Sequence, residues 1–160
     1  MKHTFLAAVF LSMATAAFAD EDDIPKPQHP ISECRKQSDN KACLKASWQE
    51  YRAAILSELK NWQQLEGVAK RGDVMEANVA LGRAMRGGWY VHNHWDPIVP
   101  EADETDVINF DDAEAIFACR TAIIDLKYWL VGVTHDDYSD GAKDSDDYAQ
   151  DLRGCAKRTK

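Results

Sequence analysis

Three observations predict an all-α fold for this 160-residue chain. Apolar residues recur at steps of three and four over three separate stretches, which is the period of one helix face. The longest of these stretches, Lys41–Lys70, contains no proline. The four cysteines, an even number, can staple helices together in an oxidising compartment. The expected architecture is an antiparallel bundle of three long helices plus short terminal helices, held by two disulfides.

The first 19 residues, MKHTFLAAVFLSMATAAFA, have the form of a secretory signal. Lys2 supplies the positive start, an apolar run follows from Phe5, and Ala17 and Ala19 stand at the small-residue cleavage positions. Cleavage is expected after Ala19, with no membrane insertion afterwards and a periplasmic or secreted location. The apolar run is short for a spanning helix, and no stop-transfer charges follow it. Residues 20–32, acidic and then rich in Pro25, Pro27 and Pro30, read as a flexible lead-in. The helical domain is expected over 33–157.

The formal charge is −8, and losing the leader removes Lys2 and no acid, leaving −9. That balance disfavours nucleic acid and anionic membrane surfaces as partners, and no nucleic acid is expected. It suits a basic protein partner or a cation.

The first long helix is the organising element. Leu44, Trp48, Tyr51, Ile55, Leu59, Trp62 and Leu65 form its apolar stripe, and Ser38, Asp39 and Asn40 are candidate N-caps. Read as one uninterrupted rod it would span about 45 Å. Such a stripe is stable only when buried against other helices. Arg71-Gly72-Asp73 ends it: Gly72 suits a helix terminus, and Asp73 with Glu76 has the spacing of a capping arrangement. A second helix from Val74 would turn Met75, Leu81, Ala84 and Met85 to the core, until Gly87-Gly88 interrupts it. A long loop over roughly 96–108 follows. The third helix is expected from Asp111 or Asp112, with Ala115, Ile116, Cys119, Ile123, Leu126, Leu130 and Val133 on its core face. It is the most apolar and should be the most buried. A short last helix, Ser145 to Lys157, would carry Tyr148, Leu152 and Cys155. The pairings expected are Cys34–Cys43 and Cys119–Cys155, each nearest in sequence, contributing about 3 and about 4 kcal/mol on a chain-entropy account.

Two clusters are candidate sites. Trp89, Tyr90, His92, His94, Trp95 and Asp96 combine aromatic anchors, imidazoles and a carboxylate, which suits a partner-binding patch. His92, His94 and Asp96 are also the donors that a zinc ion would take, although a further ligand is needed. The second cluster follows the third helix. With Gly141 at position 6 of a calcium loop, Asp136, Asp140, Asp144 and Asp147 fall at positions 1, 5, 9 and 12. Tyr138 at position 3 and Lys143 at position 8 break that pattern. No cofactor is expected beyond calcium or zinc at these clusters. No C-x-x-C, phosphate-binding glycine loop, nucleophile elbow or H-E-x-x-H occurs, so a non-catalytic role is expected.

Cys34-x8-Cys43, followed by the amphipathic stretch through Trp48, Tyr51 and Leu59, with two later cysteines at 119 and 155, resembles the small periplasmic helical proteins of the LprI type. That resemblance implies lysozyme inhibition. The family's W-x-x-[YF]-R-D-x-x-C signature is replaced here by DDAEAIFACR around Cys119, so no inhibitory residue carries over. The function expected is therefore recognition or inhibition of another cell-envelope protein, with a basic lysozyme-like enzyme or toxin as the fitting target. The alternatives are a divalent-cation-binding protein and a hydrolase.

Overall fold

The computed structural model describes residues 26–89, 95–135 and 138–158, without the side chains of 138–143, 157 and 158. The expected signal segment and residues 20–25 of the lead-in lie outside the described residues. The described chain is helical throughout its regular structure: α1 (Ile31–Cys34), α2 (Lys41–Gln63), α3 (Glu66–Arg71), α4 (Val74–Arg86), α5 (Phe110–Thr134) and α6 (Tyr138–Arg158). Both expected disulfides form, Cys34–Cys43 and Cys119–Cys155, with Cα–Cα distances of 5.3 and 4.7 Å. None of the described helices is long and apolar enough to cross a membrane.

The stripe on α2 is buried as its spacing requires: Leu44, Trp48, Tyr51, Ile55, Leu59 and Trp62 all lie in the core. The helix is not one rod, however. It stops at Gln63, where the amides of Gln64 and Leu65 bond back only three residues, to Asn61 and Trp62. This tighter turn redirects the chain so that Val68 and Ala69 of α3 reach the core. Asn40 stands at the N-cap position, but its side chain makes no capping bond. Gly72 ends α3 at φ 66°, a conformation that glycine adopts freely. Asp73 caps α4 by accepting from the Glu76 amide at 2.8 Å.

On α4 the alanines turn inward. Ala77, Ala80 and Ala84 are buried, while Met75 and Met85, expected in the core, face solvent. Small side chains let α4 approach α5 closely, and its methionines are left outside. α5 begins at Phe110, with Asn109 as N-cap accepting from the Asp112 amide. Its core face is the expected one, with Ala113, Ala122 and Trp129 added. α2, α3, α4 and α6 all touch it.

α6 is longer than expected, starting at Tyr138 and not at Ser145. It runs antiparallel to α5: Cys155 joins Cys119, and Tyr148 meets Trp129 with ring centroids 6.2 Å apart. Gly154 allows this approach, because a Cβ there would lie 3.2 Å from that of Ala118. α2 and α5 run in the same sense, as alternate helices of an up-and-down bundle do. Trp48 near the head of α2 donates to Asp112 at the head of α5. At the far end, Tyr148 bridges Glu66, just past α2, and Trp129.

The loop over 95–109 makes this possible by returning along α2. Trp95 lies against Tyr51, Lys41 pairs with Asp106, and Arg35 holds Glu104. The Arg35 guanidinium donates to both Glu104 carboxylate oxygens, at 2.8 and 2.9 Å, and to the Val99 carbonyl. Glu104 is only 4% exposed, and the Arg35 hydrogen bonds hold its carboxyl below the usual range despite that burial. A depressed carboxyl stabilises the fold above its ordinary pKa and loses that contribution as pH falls through the lower folded value. Glu104→Gln is expected to cost about 1.5–3 kcal/mol at pH 7 in denaturant unfolding. It should also reduce the acid-side loss of stability seen in the wild type.

Candidate functional site

Of the aromatic–histidine cluster, Trp89, Trp95 and Asp96 are described, and Tyr90, His92 and His94 lie outside the described residues. The two tryptophans separate into different roles. Trp89 closes the end of α4 onto α2. Its ring meets Trp62 edge-on at 6.1 Å, and its carbonyl accepts from the Trp62 indole at 3.1 Å. The same indole N–H is shared with Glu58. Trp62 is fully buried, so its N–H needs such partners. Trp89 is thus a packing residue, although part of it reaches the surface.

Trp95 has a different setting. It stacks on Tyr51 with centroids 6.5 Å apart and lines a cavity of about 100 Å³. Asp96 stands exposed beside it, with Ser47 of α2 and Pro30 and Ile98 on the walls. Three segments build this cavity, and each is held. His29, just before α1, bonds through its amide and ring to Glu50 of α2. The Cys34–Cys43 bridge closes the turn into α2, and Arg35 ties the turn after α1 to Val99 and Glu104. The lead-in expected to be flexible is therefore docked on α2 from Pro27 onward. Tyr51 is 3% exposed, and its hydroxyl finds no hydrogen-bond partner among the described residues. Burial pushes its phenol up to about 12; Arg120 opposes this, and Asp96 and Glu58 add to it. The phenol is accordingly neutral at every physiological pH.

The calcium-loop reading is corrected by α6. Positions 3 to 12 of the expected loop, Tyr138–Asp147, are wound as helix, so Gly141 makes no sharp turn and Asp140, Asp144 and Asp147 belong to a helix. Asp136 lies outside the described residues. A calcium loop needs backbone and side-chain oxygens wrapped around one point, and helical hydrogen bonding consumes the backbone carbonyls. Among the described residues no three His, Cys, Asp or Glu side chains are placed to hold a metal ion.

A carboxylate contact that spacing alone did not single out lies between α5 and α6. Asp125 on α5 meets Asp151 on α6, with Asp147 and Asp144 nearby on α6. One Asp125 oxygen is buried without a hydrogen-bond partner. Burial, and then the charge of Asp151, push the Asp125 carboxyl up to about 7. One proton held between the two carboxyls converts a repulsion into a hydrogen bond. Neither residue lines the cavity at Trp95 or the more open one between α3 and α6. The two carboxyls touch each other, whereas glycosidase pairs stand about 5–9.5 Å apart to flank a bond. The signal in the sequence was an acid at 125 within the buried stripe of the most apolar helix.

Comparison of the chain with protein-family models, characterised proteins and solved structures finds no match in any of the three.

The Asp125–Asp151 contact fixes a pH dependence. Below the ordinary value of 3.8 the carboxyl is protonated in both folded and unfolded chains. Between there and about 7 the folded chain keeps a proton that the unfolded chain releases, so stability falls as pH rises through this window. Asp125→Asn is expected to remove that slope and to raise the melting temperature at pH 8 by about 2–4 °C. Thermal melts of both proteins from pH 4 to 9 check it.

Proposed function

We propose that this is an exported binding protein that recognises or inhibits a basic protein of the cell envelope, and that it is not an enzyme. The observation that carries the reading is Trp95, half-buried on Tyr51, with exposed Asp96 at the edge of a pre-formed cavity on an acidic scaffold. Acidic charge speeds encounter with a basic partner, and a fixed aromatic anchor supplies affinity. The two disulfides accord with an oxidising compartment, which supports export. The cysteine pattern that resembles LprI-type proteins favours a lysozyme-like hydrolase as the target; an antibacterial toxin of basic charge would fit the same surface. Tyr90, His92 and His94 stay part of the proposed surface by their place in the chain, while Trp89 serves the core.

The reading is tested by titrating a basic lysozyme-type enzyme against the purified protein at low and high salt. Binding should weaken with salt, and Trp95→Ala should cost about tenfold or more in affinity. Equal binding by the Trp95→Ala variant, or by an acidic control protein, would refute it.

A further inference from the structure

We infer that the cavity at Trp95 receives the ammonium or guanidinium tip of one lysine or arginine side chain of the partner. This rests on the binding reading above and names the group that reading requires.

The described lining combines two aromatic rings, two serines and one carboxylate with prolines and isoleucines. Asp96 offers a carboxylate at the edge, Ser47 a hydroxyl, and Trp95 an indole wall. No lysine, arginine or histidine is among the described lining residues. Aromatic walls with a carboxylate beside them attract cations and repel anions. Tyr51 belongs to the same wall; its phenol is neutral and its hydroxyl oxygen is buried, so the ring and not the oxygen meets an entering group. Arg120 acts on this phenol from α5 but does not line the cavity.

Size decides what kind of cation enters. A volume of about 100 Å³ is well below the roughly 300–1,000 Å³ of sites for drug-sized ligands. It suits the end of a side chain. A metal ion would need several fixed oxygens, and one exposed carboxylate does not provide them. The three anchored segments around the cavity mean that little ordering is required on entry, which favours binding of a small group.

The experiment uses the full chain at pH 7 and follows the indole signals of Trp95 by NMR. The probes are n-butylammonium and ethylguanidinium, with n-butanol and butyrate as controls. The expected result is saturable shifts for the two cations, with dissociation constants on the order of millimolar, and none for butyrate. Asp96→Asn, at an exposed position, should weaken cation binding about two- to fivefold. Tyr51→Phe, which keeps the ring, should leave it unchanged. The same variant should melt about 2–4 °C higher, because it removes an unpaired buried hydroxyl. Butanol binding as well as butylammonium, no saturation by either cation, or unchanged affinity in Asp96→Asn would each overturn the inference. If a basic protein binds while the small cations do not, the cavity inference falls and the binding reading stands. If the cations bind and no basic protein does, the reverse holds.

Discussion

α5 is the most apolar helix of the domain, and the rest of the domain is arranged to cover its long buried face. Its buried set runs from Ala113 to Val133, and four other helices lie against it. Each covering element meets it with a face of matched bulk. α2 brings its tryptophans and aliphatics, and α4 brings three alanines that permit a close approach. α6 brings Tyr148 and Cys155, with Gly154 where the backbones crowd. The Cys119–Cys155 bridge then closes a loop across the tightest of these contacts. Burial on this scale is the main favourable term in folding, so the helices are best understood as a coat around one apolar core element.

Coverage is incomplete at Phe110, Phe117 and Tyr128, which remain about half exposed along α5. They lie on a different part of the molecule's sequence from Trp95 and Asp96, and they show that exposed aromatic surface alone does not distinguish a recognition site. The cavity at Trp95 differs because polar groups of several segments converge there and because those segments are individually tied down.

Much of the fold was legible because helical spacing reports burial directly. The α5 stripe at Ala115, Ile116, Cys119, Ile123, Leu126, Leu130 and Val133 is buried residue for residue. Asp73 and Gly72 acted as their chemistry requires. What spacing cannot report is direction and competition. Nothing in the periodicity of α2 and α5 says whether they run together or oppositely. That is decided by a loop whose buried Glu104 and Ile108 carry no helical pattern. The alanines of α4 outcompeted Met75 and Met85 for the interface because a small face packs closer, a preference invisible to a count of apolar residues. The start of α6 looked like a loop because Tyr138–Asp144 carries acids and a glycine but no apolar spacing; the stripe that was legible, Tyr148, Leu152 and Cys155, begins only partway along the helix. The site was half legible. Trp95 and Asp96 stood out as an aromatic and a carboxylate beside prolines. Tyr51 and Ser47 were hidden, since on α2 they read as ordinary members of a core face and a polar flank.

The shared direction of α2 and α5 has an electrostatic consequence. Peptide dipoles aligned along two neighbouring helices in the same sense add their fields, so two partial positive ends lie at one end of the molecule. α2 has no acidic residue in its first turn and begins with Lys41, which worsens that accumulation. The counterweight comes from elsewhere in the chain: Asp106 answers Lys41, and Asp112 sits at the head of α5 within reach of Trp48 and Arg52 on α2. Asp111 and Asp112 in the first turn of α5 oppose the positive end of that helix, Asp106 offsets the charge that Lys41 adds at the head of α2, and α6 points the other way.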